Sequence, residues 1–253
     1  MTVTNHPQYA SISEVLDVLV AHSNIYRGRD PIAVPAYSIA EASHLLRVAP
    51  ATVRSWVLGR RYPTQSGARH SRAVIEIADR ERHSLSFRNL VELHVLSAIR
   101  RVHGVKLDAV RNAVRFLQQE FGSKHPLADD EMQTDGKDLF VDRYGEVVNV
   151  SAHGQIAMKD ILGRYLQRIE RDSHGVPIRL YPFTTTREDL GRRTIVIDPR
   201  VQFGRPCLRG TGTPTSVIAE RYTAGDSIKA LAADYDRSID DIEEAVRYEL
   251  RAA

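Results

Sequence analysis

The clearest hydrophobic periodicities in this chain are helical. Phe87, Leu90, Val91, His94, Val95, Ala98, Ile99 and Val102 recur at the 3.6-residue period and stop at Gly104. Leu107, Val110, Ala113, Val114, Leu117 and Phe121 do the same up to Gly122. Each set predicts an amphipathic helix. Upstream, Ser38-Ile-Ala-Glu41 has capping-box spacing: the Ser hydroxyl accepts an N3 amide while the Glu reaches back. The helix it opens is expected over 39–46. Val48-Ala-Pro50 breaks it, and Pro50, suited to a first turn, begins a second helix that stops at Gly59. Two short helices around a tight turn form the helix-turn-helix pattern. Arg60-Arg-Tyr62, a turn at Gln65-Ser-Gly67 and a return strand over 73–77 predict a hairpin in the position of a wing.

The rest of the chain is less periodic. Residues 1–36 read as a weak leader, with a short helix through Ile12, Val15, Leu16 and Leu19 ending near Asn24. In the acidic stretch 123–150, Leu139-Phe-Val141 and Val147-Val-Asn-Val150 flank a turn-like segment, as in a β-hairpin. A helix over 156–171 is expected next, then extended runs over 176–183 and 194–198, with a polar linker at 184–193 between them. A Gly/Pro-rich loop (203–214) leads to three short helices over 215–224, 227–235 and 239–250, with Ser227 and Ser238 as caps. The expected fold class is mainly α with small β-hairpins. The division is a leader (1–36), a winged helix-turn-helix domain (37–122), a middle hairpin and helix region (123–183) and a C-terminal three-helix module (184–253).

Charge sharpens this outline. The total is +3, but residues 37–124 alone carry fifteen basic and seven acidic side chains. Residues 43–75 hold six arginines (47, 54, 60, 61, 69, 72) and no carboxylate, which points to a polyanion. On the second helix Val53, Trp56 and Val57 share one face and belong to a core. Ala51, Thr52, Arg54 and Ser55 lie opposite, with Arg60 and Arg61 beyond the end. Such a face suits the major groove, with flanking arginines on phosphates; its bland reading is a solvated basic surface.

These residues resemble the MerR-like helix-turn-helix family. Tyr37-Ser-Ile-Ala-Glu-Ala42 matches its opening and Val48-Ala-Pro-Ala-Thr-Val-Arg-Ser-Trp56 its turn and recognition helix. The resemblance implies that Thr52, Arg54 and Trp56 sit at the duplex and that the hairpin after Arg61 is the wing; the charge pattern adds Arg47, Ser55, Arg60, Arg61, Arg69 and Arg72 to the expected DNA-binding surface. The helix over 107–121 is shorter than that family's dimerisation coil, and no Cys-rich or aromatic effector site follows it.

The C-terminal part carries a second resemblance. Phe203-Gly-Arg-Pro-Cys-Leu-Arg-Gly-Thr-Gly-Thr-Pro214, followed by Ala224-Gly-Asp-Ser-Ile228 and Asp241-Ile-Glu-Glu-Ala-Val-Arg-Tyr248, is similar to a bacterial family of small antitoxin-like domains. Leu85-Ser-Phe-Arg-Asn-Leu-Val-Glu92 and Asp135-Gly-Lys-Asp-Leu-Phe-Val141 resemble the two-domain, VapB-type antitoxins that carry this module. The resemblance implies a non-enzymatic antitoxin whose partner is a PIN-like ribonuclease toxin and which represses its own operator DNA; because helix-turn-helix operators mirror a two-fold protein, a homodimer is expected. Arg200, Arg205 and Arg209, riding on the loop, are the expected toxin-binding residues. The alternatives are a stand-alone transcription regulator and a metal-dependent hydrolase using Asp129, Asp130, Glu131, Asp135, Asp138 and Asp142.

Other chemistry is thin. The ten histidines show no zinc spacing, and the loop lacks the Gly-Lys-Ser/Thr of a nucleotide-binding P-loop. No cofactor or metal is expected. The single cysteine, Cys207, cannot form an internal disulfide, though the arginines around it suggest a lowered pKa. Without a membrane-length apolar run or a secretion signal, the expected location is the cytoplasm.

Overall fold

In the computed structural model the described residues are 26, 28–64, 67–101, 107–148, 151–184 and 192–250. The expected leader helix, the tip of the first hairpin and most of the linker at 184–193 lie outside them. The molecule is mainly helical, with nine α-helices among the described residues and two small antiparallel sheets.

The chain enters through α1 (Ile39–Leu46), where Ser38 and Glu41 form the reciprocal capping box. α2 (Pro50–Leu58) follows a three-residue turn and begins with its proline. It ends at Gly59 (φ 81°), where a Cβ would lie 2.2 Å from the Ser71 carbonyl oxygen, so only glycine fits the crossing. A two-stranded ribbon comes next, β1 (Arg60–Thr64) paired with β2 (Gly67–Ser71), in register from Arg60 opposite Ser71 to Thr64 opposite Gly67. The return strand is therefore 67–71, not 73–77. Residues 74 and 75 instead donate their amides to the Trp56 carbonyl at 2.7 and 3.4 Å, and Val74, Ile75 and Ile77 enter the core.

α3 (Phe87–Arg101) is the central element. It buries Phe87, Leu90, Leu93, Val95, Leu96 and Ile99 around its whole circumference, as a helix enclosed by its neighbours must. Of the helices that follow, α4 (Leu107–Phe121) packs on α5 (Asp135–Val148), α5 on α6 (Ala152–Leu166), and α6 on α3. Residues 139–148 are thus helix rather than part of a hairpin, all of them within α5. Phe140, Val141 and Tyr144 fall on one buried helical face, and that shared burial overrides the strand propensity of the Val pairs. The following helix also ends early, at Leu166, because 169–171 pairs into a sheet.

That sheet is β3 (Ile169–Arg171), β4 (Pro177–Leu180), β5 (Ile195–Ile197) and β6 (Pro206–Leu208), all antiparallel in sequence order. Its strands come from both sides of the 184–193 segment. Three helices complete the chain: α7 (Thr215–Thr223), α8 (Ile228–Asp234) and α9 (Ile239–Leu250). They close a second, smaller core of Leu208, Ile218, Leu231, Ala232, Ile242, Ala245 and Val246.

The chain's end returns to its beginning. The Tyr248 hydroxyl donates to the Leu45 carbonyl at 2.9 Å, and the Tyr37 hydroxyl to that of Gly204 at 3.1 Å. A Cβ at Gly204 would fall 2.0 Å from the Tyr37 hydroxyl oxygen.

Candidate functional site

The acid-free stretch presents its charge on α2 and the ribbon. Arg54, Arg60, Arg61 and Arg72 are exposed, and Thr52 and Ser55 are half-buried beside them. Among the described residues, none of these four arginines has a carboxylate or carbonyl partner. The backbone of Arg69 lies on β2, opposite Tyr62; its side chain is outside the described set. Two members of the expected surface are elsewhere. Trp56 is only 4% exposed and packs in the core with Val53 and Val57, because the turn of α2 that shows Arg54 outward turns residue 56 inward. Its ring is not available to a duplex.

Arg47 is the other. It caps α1 in the left-handed conformation (φ 53°), and its Nη2 donates to the Tyr248 carbonyl at 3.2 Å. The guanidinium lies 5.2 Å from the Tyr248 ring centroid, and His44 meets Glu249 at 3.3 Å nearby. Arg47 clamps α9 onto α1; a residue two hundred positions away in sequence takes up its charge.

The second arginine group rides on the loop between β5 and β6. Asp198 shapes its start, accepting the Arg200 amide at 2.9 Å and the Arg179 Nε at 2.9 Å. Gln202, Phe203 and Gly204 then run through three successive left-handed conformations (φ 49°, 55° and 78°). Two of these are non-glycine residues, a costly arrangement of about 1–3 kcal/mol each that folds retain where the geometry serves a purpose. The turn puts Phe203 into solvent at 64% exposure, between the exposed Arg200 and Arg205. Arg209, also exposed, holds its guanidinium 5.7 Å from the Tyr181 ring. Tyr181 donates to Glu170 at 2.5 Å; that hydrogen bond, with Arg179 beside it, holds the Glu170 carboxyl below its ordinary range. Sequence reasoning named the arginines and passed over Phe203. The signal was present: an aromatic between Gln and Gly in a polar loop, where its ring stays largely exposed and meets only the edge of Tyr26, with ring centroids 6.2 Å apart.

Two other expectations resolve differently. Cys207 sits on β6, buried, and burial first and Asp198 second push its thiol up to about 11, opposite to the lowering its arginine neighbours suggested. The acidic residues do not converge. Asp138 and Asp142 pair with Lys159 at 3.4 and 3.5 Å, and Asp130 with Arg171 at 3.5 Å. Among the described residues no group of three His, Cys, Asp or Glu side chains is arranged to hold a metal, and no helix is long and apolar enough to cross a membrane.

A mainly helical body around α3 with a sheet-tethered, arginine-looped module at its C-terminal end defines the class. Residues 195–248, which form β5 through most of α9, match the family described as "Protein of unknown function (DUF433)". Across the whole molecule, the chain is 32% identical over 231 residues to the Mycobacterium tuberculosis protein named "Putative antitoxin VapB45", covering 84% of this chain and 93% of that one. It therefore belongs to the VapB45 family. A second M. tuberculosis relative, "Uncharacterized protein Rv2308", is 24% identical over 223 residues, with 84% and 89% covered. The crystal structure of Rv2018 from the same organism shares the fold, with a TM-score of 0.61 over 85% of this chain and 98% of that chain at 24% identity.

Proposed function

We propose that this chain is a non-catalytic antitoxin of a two-component toxin–antitoxin system, neutralising a PIN-like ribonuclease and binding its own operator DNA. Membership of the VapB45 family carries the antitoxin reading. The unpaired arginines carry the rest. A PIN-like active site concentrates carboxylates around magnesium, and a guanidinium pairs with carboxylates bidentately and cannot lose its charge. The Arg200–Arg209 loop offers such groups, and Phe203 adds an apolar anchor of the kind that dominates protein interfaces. The winged helix-turn-helix reading of α1, α2 and the ribbon gives the operator surface: Thr52, Arg54 and Ser55 on the reading face, with Arg60, Arg61, Arg69 and Arg72 on phosphates.

Operators of helix-turn-helix proteins mirror a two-fold protein, so a homodimer in the cytoplasm belongs to this reading. Its contact lies outside the apolar stripes of α3 and α4, since those are consumed by the chain's own core. The test is a ribonuclease assay of the toxin encoded beside this chain, with wild-type or Arg205→Ala/Arg209→Ala protein. Inhibition weakened by about 2–5 kcal/mol is expected for truncating buried, paired arginines. Equal inhibition would reduce the loop to a structural turn, and absence of any toxin complex would leave a stand-alone regulator.

A further inference from the structure

Behind the ribbon, between the end of α2, residues 72–76 and α4, lies a cleft of about 440 Å³. Its polar lining is Arg72, Arg80, Arg111, Arg115, Glu76 and Gln118; Val57, Leu58, Val74 and Ile75 form an apolar floor. Four guanidinium groups therefore share one concavity with a single lining carboxylate. Arg72, Arg80 and Arg115 are exposed and, among the described residues, have no ion-pair or hydrogen-bond partner. Arg111 is different. It is 7% exposed, bonded through Nη1 to Asp108 and through Nη2 to the Ser71 hydroxyl at 2.5 Å. Its Nε is buried with no acceptor.

A fold has no reason of stability to gather four like charges in one concavity. Like charges repel, and the low-dielectric walls of a cleft focus their field rather than screen it. A buried N–H with no acceptor adds a further cost, of the kind a bound anion removes. Arg111 is held from both sides, by α4 through Asp108 and by the ribbon's base through Ser71. Its guanidinium is thus fixed in place before any ligand arrives, with Nη1 and Nη2 each already holding one partner and Nε holding none. The volume exceeds what one inorganic phosphate fills and lies in the range of about 300–1,000 Å³ typical of small-ligand pockets.

We propose that this cleft is a phosphoryl-binding site, distinct from the base-reading face of α2, in which Arg111 supplies the fixed donor and Arg72, Arg80 and Arg115 close around the anion. Guanidinium groups match phosphoryl oxygens bidentately, and the apolar floor accommodates the organic part of a phosphorylated molecule. Phosphoryl groups of this chemistry come either from a free organic phosphate or from a duplex backbone passing the ribbon. The site goes beyond the antitoxin reading and does not need it.

The experiment uses the full chain and titrates inorganic pyrophosphate, with sulfate at equal ionic strength as control, by calorimetry and thermal shift. Arg80→Gln/Arg115→Gln is the main variant, since both side chains are exposed and the fold does not depend on them. Arg111→Lys keeps the charge and removes the fork. Saturable pyrophosphate binding, absent with sulfate and weakened at least tenfold in both variants, establishes a site for free phosphates. If pyrophosphate does not bind, a short random duplex is titrated between 50 and 200 mM salt. A slope of log affinity against log salt shallower by about 2 in the double variant, about 1 per lost phosphate contact, assigns the cleft to backbone phosphates. If neither pyrophosphate binding nor the duplex salt slope responds to the double variant, the proposal fails. A chain that binds no duplex at all sinks the operator reading, while the pyrophosphate arm still decides the cleft.

Discussion

Between Arg54 and Arg72 the described guanidinium groups stand in solvent without a carboxylate, whereas those of the sheet and the helices around it are tied down. Arg171 donates to the carbonyls of Ala128, Gly175 and Asp129 at 2.6, 2.8 and 2.9 Å. Arg179 bridges Glu170 and Asp198; Arg221 bridges Asp226 and Asp234. The number of arginines in a region therefore says little about its function. Company decides: a paired arginine is part of the fold's own hydrogen-bond accounting, and an unpaired one in a basic neighbourhood is available to something else. The loop arginines Arg200, Arg205 and Arg209 belong with the first group, although they sit inside the second region.

The largest expected effect tests the tied class. Arg171 is almost fully buried, and its removal takes the donor from the Ala128 and Gly175 carbonyls, while that of Asp129 keeps the Met132 amide at 3.3 Å. Arg171→Ala should cost about 3–5 kcal/mol of folding stability, the scale for breaking a buried charged network. Urea denaturation reads it directly. A loss under 1 kcal/mol would mean that the hydrogen bonds add nothing, and the distinction between tied and bare arginines would collapse.

Arg47 stands on the border, since the sequence puts it with the bare arginines and the fold puts it with the tied ones. Its mutation to alanine should lower stability by about 1.5–3 kcal/mol, the range for hydrogen bonds to charged groups. The salt slope of duplex binding should stay unchanged. A change in slope with intact stability would return Arg47 to the DNA surface.

How much of this was legible follows the same line. Local signals worked wherever the cause was local. The capping box at Ser38 and Glu41, the start at Pro50, the stop at Gly59 and the caps at Ser227 and Ser238 all fix elements within a few residues of themselves. Long-range causes were invisible. Nothing near Arg47 announces Tyr248, and nothing near Thr184 and Thr194 announces that both bond to Glu244. The middle segment failed for a third reason: its paired valines suit a strand, and only packing of Phe140, Val141 and Tyr144 under α4 and α6 makes it a helix. At the candidate site the charged residues were readable, because the absence of carboxylates is a sequence property. Inward-facing Trp56 shows the limit, since burial face and motif position gave opposite answers and burial prevailed.

Arg54→Ala tests the bare class at an exposed point on α2. Stability should change by no more than about 0.5 kcal/mol, as for surface positions without partners. Duplex affinity should fall by about 1–3 kcal/mol if the side chain reads a base. Gel retardation of promoter DNA separates the outcomes: an unchanged shift would place the duplex elsewhere, and a stability loss would mean that Arg54 has a partner.

The smallest effect is a slope with pH, and it concerns a third way of handling charge. Glu92 is buried on α3, where burial raises its carboxyl pKa, opposed by His125 and by the Asn89 amide at 2.9 Å. His125 lies 3.1 Å away, and this hydrogen bond raises its own pKa above the ordinary 6.5 despite partial burial, with Arg88 and Asp129 facing it with opposite signs. A histidine with a raised folded pKa contributes stability that is complete below 6.5 and is lost as pH rises through the folded value. Glu92 acts in the same direction, because rising pH leaves its charge in the core with only an amide for company. Stability should therefore decline from about pH 6 toward pH 8. His125→Gln should flatten that decline while lowering stability at pH 6, as read from urea midpoints across the range. An equally steep decline in the variant would take the effect away from His125 and leave it to Glu92 or to a group outside the pair.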